Sequence, residues 1–79
     1  MTRLKRERLA REWPQWKLAA MADVHPFYVS QYERGLMAAS PIHRERLARA
    51  LGLTPGDLFD RWGFAIAVDE AAEKATHHI

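Results

Sequence analysis

The sequence predicts an all-α domain of five short helices followed by a short C-terminal extension. Three observations support this fold class. Proline or a small polar residue precedes several apolar stretches, as is typical where a helix begins. Within those stretches, apolar residues recur three and four positions apart, which is the spacing of one helix face. Glycine or aspartate then follows, where helices commonly end. We expect the helices to fill residues 2–61, with connections of a few residues.

The composition restricts the class of protein. The chain of 79 residues supports one modest hydrophobic core. Without cysteine it has no disulfides and no thiolate metal sites. Its N-terminal residues lack the apolar segment of a secretory signal. No apolar run approaches the ~20 residues that a membrane span needs. We therefore expect a cytoplasmic protein with no membrane association.

Charge is distributed unevenly along the chain, although its formal net charge is only +2. Basic residues crowd residues 3–11, whereas acidic residues are concentrated beyond Val68. This asymmetry suits a polyanionic partner at one end of the molecule. The alternative is a solvated helix face, because Glu7 and Glu12 are interleaved with the basic residues.

The first helix is predicted over residues 2–12. Thr2 is a suitable N-cap, and Leu4 and Arg8 share one helical face. Pro14 limits this helix, because the residue before a proline is pushed out of the α region.

The second helix is predicted over residues 15–22, with an apolar stripe formed by Leu18, Met21 and Ala22. Asp23 then stands where a helix often needs a residue in the left-handed conformation.

The third helix is predicted over residues 26–34. Pro26 fits its first position, and Gly35 fits the position just beyond its end. Val29 and Tyr32 lie three residues apart and are expected to face inward.

The fourth and fifth helices have the clearest start signals. Ser40 and Pro41 precede residues 41–51, and Thr54 begins a stretch with an acidic residue three positions on, as in a capping box. The predicted buried face of the fourth helix consists of Ile42, Leu47, Ala48 and Leu51.

Residues 62–79 are expected to form a C-terminal extension. In residues 64–68, large apolar residues alternate with alanine, which fits either a short strand or a continuation of the fifth helix. The polar residues that follow suit a frayed tail. His77 and His78 have no evident third ligand, so we expect no metal site there.

Two short helices joined by a tight turn make a helix-turn-helix candidate, but many small helical domains contain such a pair. The fuller pattern is more specific, because the third helix ends in Glu-Arg-Gly and a Leu-Ala-Arg-Ala-Leu-Gly-Leu block follows at residues 47–53. With these features the chain resembles the helix-turn-helix family of phage repressor and Cro proteins, also called the xenobiotic-response-element family, over residues 4–60. The other residues that carry the resemblance are Gln15, Leu18, Ala19, Val24, Val29, Tyr32, Leu58 and Phe59.

The resemblance implies a lambda-repressor-like DNA-binding bundle over residues 1–61. It implies that the third helix lies in the major groove of double-stranded DNA and that the second crosses the DNA backbone. It also implies an ion pair between Arg8 and Glu33. We interpret this pair as structural, because removing one member of a partly buried pair is costly.

The same resemblance assigns the DNA contacts. Phe27, Tyr28 and Gln31 are expected to meet base edges, since glutamine bonds adenine at two points and an aromatic ring contacts the thymine methyl. The alternative is that either Phe27 or Tyr28 packs in the core. The residues expected to contact phosphate are Gln15, Trp16, Lys17 and Arg34, with a plain helix cap as the alternative for Gln15.

One such domain touches little DNA, so we expect a homodimer that binds two half-sites. The residues predicted to form the dimer interface are Trp62, Phe64, Ile66 and Val68. Residues 64–68 would suit pairing with their own copy as an edge strand.

Departures from the family pattern keep a second hypothesis open. Asp23 replaces the usual glycine of the turn, and residues 36–39 are apolar where relatives often carry basic or amide side chains. The chain would then be a protein-interaction module on the same fold. The sequence has no nucleophile–base pair, metal cluster or glycine-rich phosphate loop, so we expect no enzyme activity, cofactor or small-molecule ligand.

Overall fold

Over the described part of the chain the fold consists of five α-helices and almost no strand, as predicted. The computed structural model describes residues 1–68. The helices are α1 (Arg3–Ala10), α2 (Gln15–Ala22), α3 (Pro26–Glu33), α4 (Pro41–Leu51) and α5 (Pro55–Leu58).

The capping residues that the sequence identified set most helix ends. The Thr2 side chain accepts a hydrogen bond from the Lys5 backbone N–H and begins α1. Ser40 does the same for His43 at the start of α4. Gly52 then ends α4 in the left-handed conformation, at φ 72° and ψ 27°. Because both ends are fixed locally, the predicted bounds of α4 are confirmed.

Three helices are shorter than predicted, although α3 ends only one residue early, at Glu33. α1 ends at Ala10, and Glu12 takes a positive φ of 58° that turns the chain before Pro14. α5 ends at Leu58, so the prediction that helices reach residue 61 is wrong. Phe59 is already extended, because the following residues turn back along the bundle. The Asp60 side chain supports this turn by accepting hydrogen bonds from two backbone N–H groups.

Residues 64–68 are extended and do not continue α5. They form isolated antiparallel bridges, Phe59 with Ala65 and Thr2 with Ala67. The Ile66 N–H donates to the Leu58 carbonyl over 2.9 Å, and the Ile66 carbonyl accepts from Arg3 N–H over 2.8 Å. The backbone of this segment is therefore paired with other parts of the same chain. The expected frayed tail and the two C-terminal histidines lie outside the described residues.

The core lies between the helices, chiefly where α2 packs against α3 and α4 and where α4 packs against α5. Its completely buried members are Leu4, Leu18, Val29, Leu47 and Leu58. Two predicted core residues are corrected, since Met21 is 53% exposed and Ile42 is 54% exposed. Met21 lies at the edge of its apolar stripe, where the spacing alone does not distinguish a buried side chain from an exposed one. Ile42 precedes Leu47 by five residues, so it lies on the opposite side of α4 from the buried face. Within residues 1–68, no helix has both the length and the apolar character needed to cross a bilayer.

The C-terminal extension is attached to the loop after α3 at Gly63. The Ala39 N–H donates to the Gly63 carbonyl over 2.9 Å. Gly63 has a φ of +96°, and a Cβ atom there would lie 2.6 Å from the Ala39 carbonyl oxygen. Glycine is therefore required both by the backbone conformation and by the close approach of the loop.

Candidate nucleic-acid interface

The turn between α2 and α3 is held rigidly by short-range hydrogen bonds. Asp23 adopts the left-handed conformation, with φ 54° and ψ 49°, at the end of α2. The Val24 N–H then donates to the Ala19 carbonyl over 3.0 Å, and the Val24 side chain is buried. His25 caps α3, because its Nδ1 accepts from the Phe27 N–H over 3.0 Å. The angle between the two helices is therefore set by local structure.

The inner face of α3, which we define as Val29, Tyr32 and Glu33, is buried against the rest of the bundle. The outer face, which we define as Phe27, Tyr28 and Gln31, is much more accessible. Phe27 is 53% exposed and Tyr28 is 38% exposed, so neither ring is part of the core. Gln31 is half-buried, and its side-chain amide makes no hydrogen bond within residues 1–68. The outer face thus has uncommitted polar and apolar groups side by side.

Arg8 and Glu33 lie in contact and join α1 to the end of α3. The Arg8 Nε donates to Glu33 Oε2 over 2.6 Å, and Nη2 donates to Oε1 over 2.9 Å. The two side chains are only 8% and 1% exposed. A third Arg8 nitrogen donates to the Trp13 carbonyl over 2.7 Å. The buried charges are thus paired and also hydrogen-bonded, which the burial of charge requires.

Gln15 takes part in this buried network. Its Nε2 donates to the Glu33 carboxylate over 3.0 Å. Gln15 is the first residue of α2 and Pro14 occupies the N-cap position, so Gln15 is not itself the cap. One amide N–H of Gln15 is therefore engaged inside the protein, and the rest of its half-buried amide remains for an outside contact.

The other predicted phosphate contacts lie on the surface. Trp16 is 66% exposed at the start of α2. Lys17 is exposed, and its Nζ lies 5.5 Å from the centre of the Trp13 ring. Arg34 is exposed at the C-cap of α3. The cation–π contact restrains the Lys17 ammonium group and keeps it in solvent. Sequence reasoning did not identify Trp13 as its support.

An aromatic cluster connects the outer face of α3 to α4. The Tyr28 ring stacks on the Tyr32 ring at 6.1 Å and 27°. It also lies 5.4 Å from the His43 ring. The Tyr32 hydroxyl and His43 Nδ1 are 2.7 Å apart, within hydrogen-bond distance. Phe27 meets Tyr28 edge-on at 5.4 Å.

Sequence reasoning missed the part that His43 plays in this cluster. The spacing of Tyr28 and Tyr32 by four residues signals a helical pair. No local signal connects either ring to His43, because that contact requires α4 to pack across the end of α3. Burial raises the pKa of the Tyr32 hydroxyl, and this effect is larger than the opposing effect of the Ser40 backbone, so the phenol stays protonated.

The residues predicted to form a dimer interface lie in the C-terminal extension. Trp62 is 65% exposed and Phe64 is 41% exposed, whereas Ile66 and Val68 are half-buried. The guanidinium of Arg61 lies 4.3 Å from the centre of the Trp62 ring. The extension therefore presents two large apolar side chains next to a cation.

Comparison with known proteins agrees with this geometry. A family model described as helix-turn-helix matches residues 4–58, which include nearly all of the five helices. Over 46 residues the chain is 44% identical to the "Control protein C.BamHI" of Bacillus amyloliquefaciens, and this stretch covers 58% of the chain and 57% of the relative. No solved structure matches the chain. The resemblance predicted from the sequence is confirmed, because the family model covers more than half of the chain and includes both the turn and the helices on either side of it: the chain belongs to the helix-turn-helix family.

Proposed function

We propose that this protein is a DNA-binding regulator of transcription that inserts α3 into the major groove of an operator. The observation that carries the proposal is the contrast between the two faces of α3. Its inner face is buried, while Phe27 and Tyr28 on the outer face are exposed. A helix held in this way beside a second helix is the arrangement with which helix-turn-helix proteins enter DNA. A location in the cytoplasm suits this function.

The outer face has the chemistry needed to distinguish bases. The Gln31 amide offers a donor and an acceptor, which complement the N7 acceptor and the N6 donor of adenine in the major groove. The Phe27 and Tyr28 rings supply apolar contact for the thymine methyl group. Since Phe27 and Gln31 are four residues apart, they lie on one side of the helix about 6 Å apart along its axis. We therefore expect a half-site that contains both adenine and thymine.

Phosphate contacts would fix the helix in register on the duplex. Lys17 and Arg34 are exposed cations near the two ends of the helix pair. Trp16 and the free part of the Gln15 amide would contact the strand between them. Such contacts position a protein on DNA without selecting a sequence.

A two-fold dimer would double the contact with DNA. We propose that Trp62, Phe64, Ile66 and Val68 form its interface. The exposure of Trp62 and Phe64 supports this, because a symmetric contact would bury apolar surface that the described residues leave open. Dimers of this class bind half-sites about one helical turn apart, so the operator would be palindromic.

The test of the function is binding to random-sequence duplex DNA at low and at moderate salt, followed by selection of bound sites from a random pool. We expect weak binding to all duplexes at low salt, a steep loss of it as salt rises, and palindromic selected sites. A folded protein that does not bind duplex DNA at low salt would refute the proposal.

A second function is favoured by one observation. Leu36 is 60% exposed in the loop after α3, and Phe27 is 53% exposed nearby in sequence. These apolar side chains suit a protein-interaction module on the same fold. Absence of DNA binding at low salt by the folded chain would be the result that supports this alternative.

The dimer is tested separately by sedimentation equilibrium of the wild type and two tryptophan variants. Trp62 and Trp16 are almost equally exposed, at 65% and 66%, so their alanine variants are matched. We expect Trp62→Ala to weaken dimerisation and Trp16→Ala to leave it unchanged. Equal dimerisation of all three proteins would remove Trp62 from the interface.

A further inference from the structure

The ring of Tyr28 is held from outside its own helix. It lies 5.4 Å from the ring of His43, which belongs to α4. It also stacks on Tyr32, one turn further along α3, at 6.1 Å. Phe27, by contrast, meets only the edge of Tyr28 and is more exposed. The two aromatic residues of the outer face therefore differ in how firmly they are held.

His43 is itself fixed at three points. Its backbone N–H donates to the Ser40 hydroxyl over 3.3 Å, as part of the cap of α4. Its Nδ1 lies 2.7 Å from the Tyr32 hydroxyl, and Tyr32 is only 3% exposed. Its ring also meets the Tyr32 ring at 5.8 Å. The His43 ring is therefore a rigid support, because the hydrogen bond fixes its rotation while the helix cap fixes its backbone.

Without His43, one side of the Tyr28 ring would lose its support. A half-exposed tyrosine on a helix surface has several rotamers available. Those rotamers move the hydroxyl by several ångströms, which is about the spacing of adjacent base pairs. The base that Tyr28 meets would then no longer be defined. Precise positioning of such a side chain depends on neighbours that lock its rotamer.

We propose that His43 is a positioning residue that determines the DNA base pair met by Tyr28, without contacting DNA itself. The inference rests on the proposed DNA-binding function, because it describes how one base contact of that function is set. His43 also connects this contact to the loop after α3, because its backbone N–H bonds the hydroxyl of Ser40, the last residue of that loop. A substitution in α4 would thus change sequence preference at a distance from the groove.

The first test examines the free protein by NMR. The ring protons of Tyr28 should show ring-current shifts from His43 in the wild type. We expect His43→Ala and His43→Gln to abolish those shifts and to give averaged Tyr28 side-chain couplings. His43→Phe keeps a flat ring of similar size but loses the hydrogen bond to Tyr32, so it should leave the Tyr28 rotamer more restricted than His43→Ala does. A single fixed Tyr28 rotamer in all three variants would overturn the inference, whatever the protein does with DNA.

The second test measures discrimination between a selected operator and its single-base variants. Tyr28→Ala first identifies the base pair that depends on Tyr28. We expect His43→Gln to lower discrimination at that same base pair by about three- to tenfold, since residues in contact are commonly coupled. The double variant should lose no more than Tyr28→Ala alone. His43→Phe should restore most of the discrimination.

Other outcomes distinguish failure of the His43 inference from failure of the proposed DNA-binding function. If His43→Gln weakens binding equally on every duplex, or if its effect adds to that of Tyr28→Ala, His43 is only structural and the inference is wrong. If the wild type does not bind duplex DNA at all, the proposed function fails, and the NMR result shows whether the support of Tyr28 exists nonetheless. Should His43→Ala not fold, His43→Gln and Tyr32→Phe test the same link with smaller changes in volume.

Discussion

The two faces of α3 differ in how completely their polar groups are satisfied. On the inner face, both Glu33 carboxylate oxygens accept hydrogen bonds from Arg8, and one also accepts from Gln15. On the outer face, the Gln31 amide makes no hydrogen bond within residues 1–68. Eight residues thus combine a face that stabilises the fold with a face whose groups remain available. Substitutions on the two faces should therefore affect different measurements.

The largest effect is expected on the inner face, from Arg8→Ala. This change leaves the Glu33 carboxylate buried without its ion-pair partner, which typically costs about 3–5 kcal/mol. Urea unfolding followed by circular dichroism should show this loss in the free energy of unfolding, with a lower Tm. Arg49→Ala, which removes an exposed arginine of α4, is the matched control and should change stability by less than about 0.5 kcal/mol. An unchanged Tm for Arg8→Ala would show that the buried pair does not stabilise the fold.

The next effect is expected on the outer face, from Gln31→Ala. We expect it to reduce the preference for one base pair by about 1–3 kcal/mol and to leave the free energy of unfolding nearly unchanged. Competition binding with single-base variants of a selected operator measures the first quantity, and urea unfolding measures the second. Equal loss of affinity on all sequences would contradict base contact by Gln31. A large loss of stability would contradict the separation of the two faces.

A smaller effect is expected from the cations that flank the outer face. Lys17→Ala should weaken binding to every duplex by a similar factor and reduce the salt dependence by about one unit of slope. The measurement is log affinity against log salt concentration for one specific and one random duplex. Arg49→Ala again serves as the control, because it removes the same charge from another surface. A slope that falls equally in both variants would indicate a general charge effect and not a phosphate contact at Lys17.

The same contrast explains which features were predictable from the sequence. The bounds of α2 and α4 follow from signals that lie within a few residues of each end, such as Pro41 and Gly52. The Arg8–Glu33 contact came from family resemblance, because no local pattern connects residues 25 positions apart. Partners in long-range pairing were not predicted. A strand was one of two alternatives for residues 64–68, but nothing nearby in sequence indicated that backbone groups of residues 1–3 and 58–60 hold this segment.

The direction in which a side chain points was the second feature that the sequence predicted poorly. Met21 satisfies the spacing of an apolar stripe, yet it is more than half exposed. Ile42 was grouped with Leu47 and Leu51, but at five and nine residues from them it lies on the opposite side of α4. A stripe on a short helix leaves its edge residues undetermined, since only a neighbouring element decides which of them it covers. His43 was overlooked for the same reason. Its role depends on where α4 crosses α3, and the sequence near His43 gives only the helix cap.

The smallest effect is a pH dependence that should belong to the inner face alone. Burial raises the pKa of the Tyr32 hydroxyl above its ordinary value, so the folded state holds this proton more tightly than the unfolded chain. The contribution to stability is therefore complete below the unfolded pKa and is lost as the pH rises through the folded pKa. Urea unfolding at about pH 8 and pH 11 should show a smaller alkaline loss for Tyr32→Phe than for the wild type. If both proteins lose the same stability, ionisation of Tyr32 is not what opposes folding at alkaline pH.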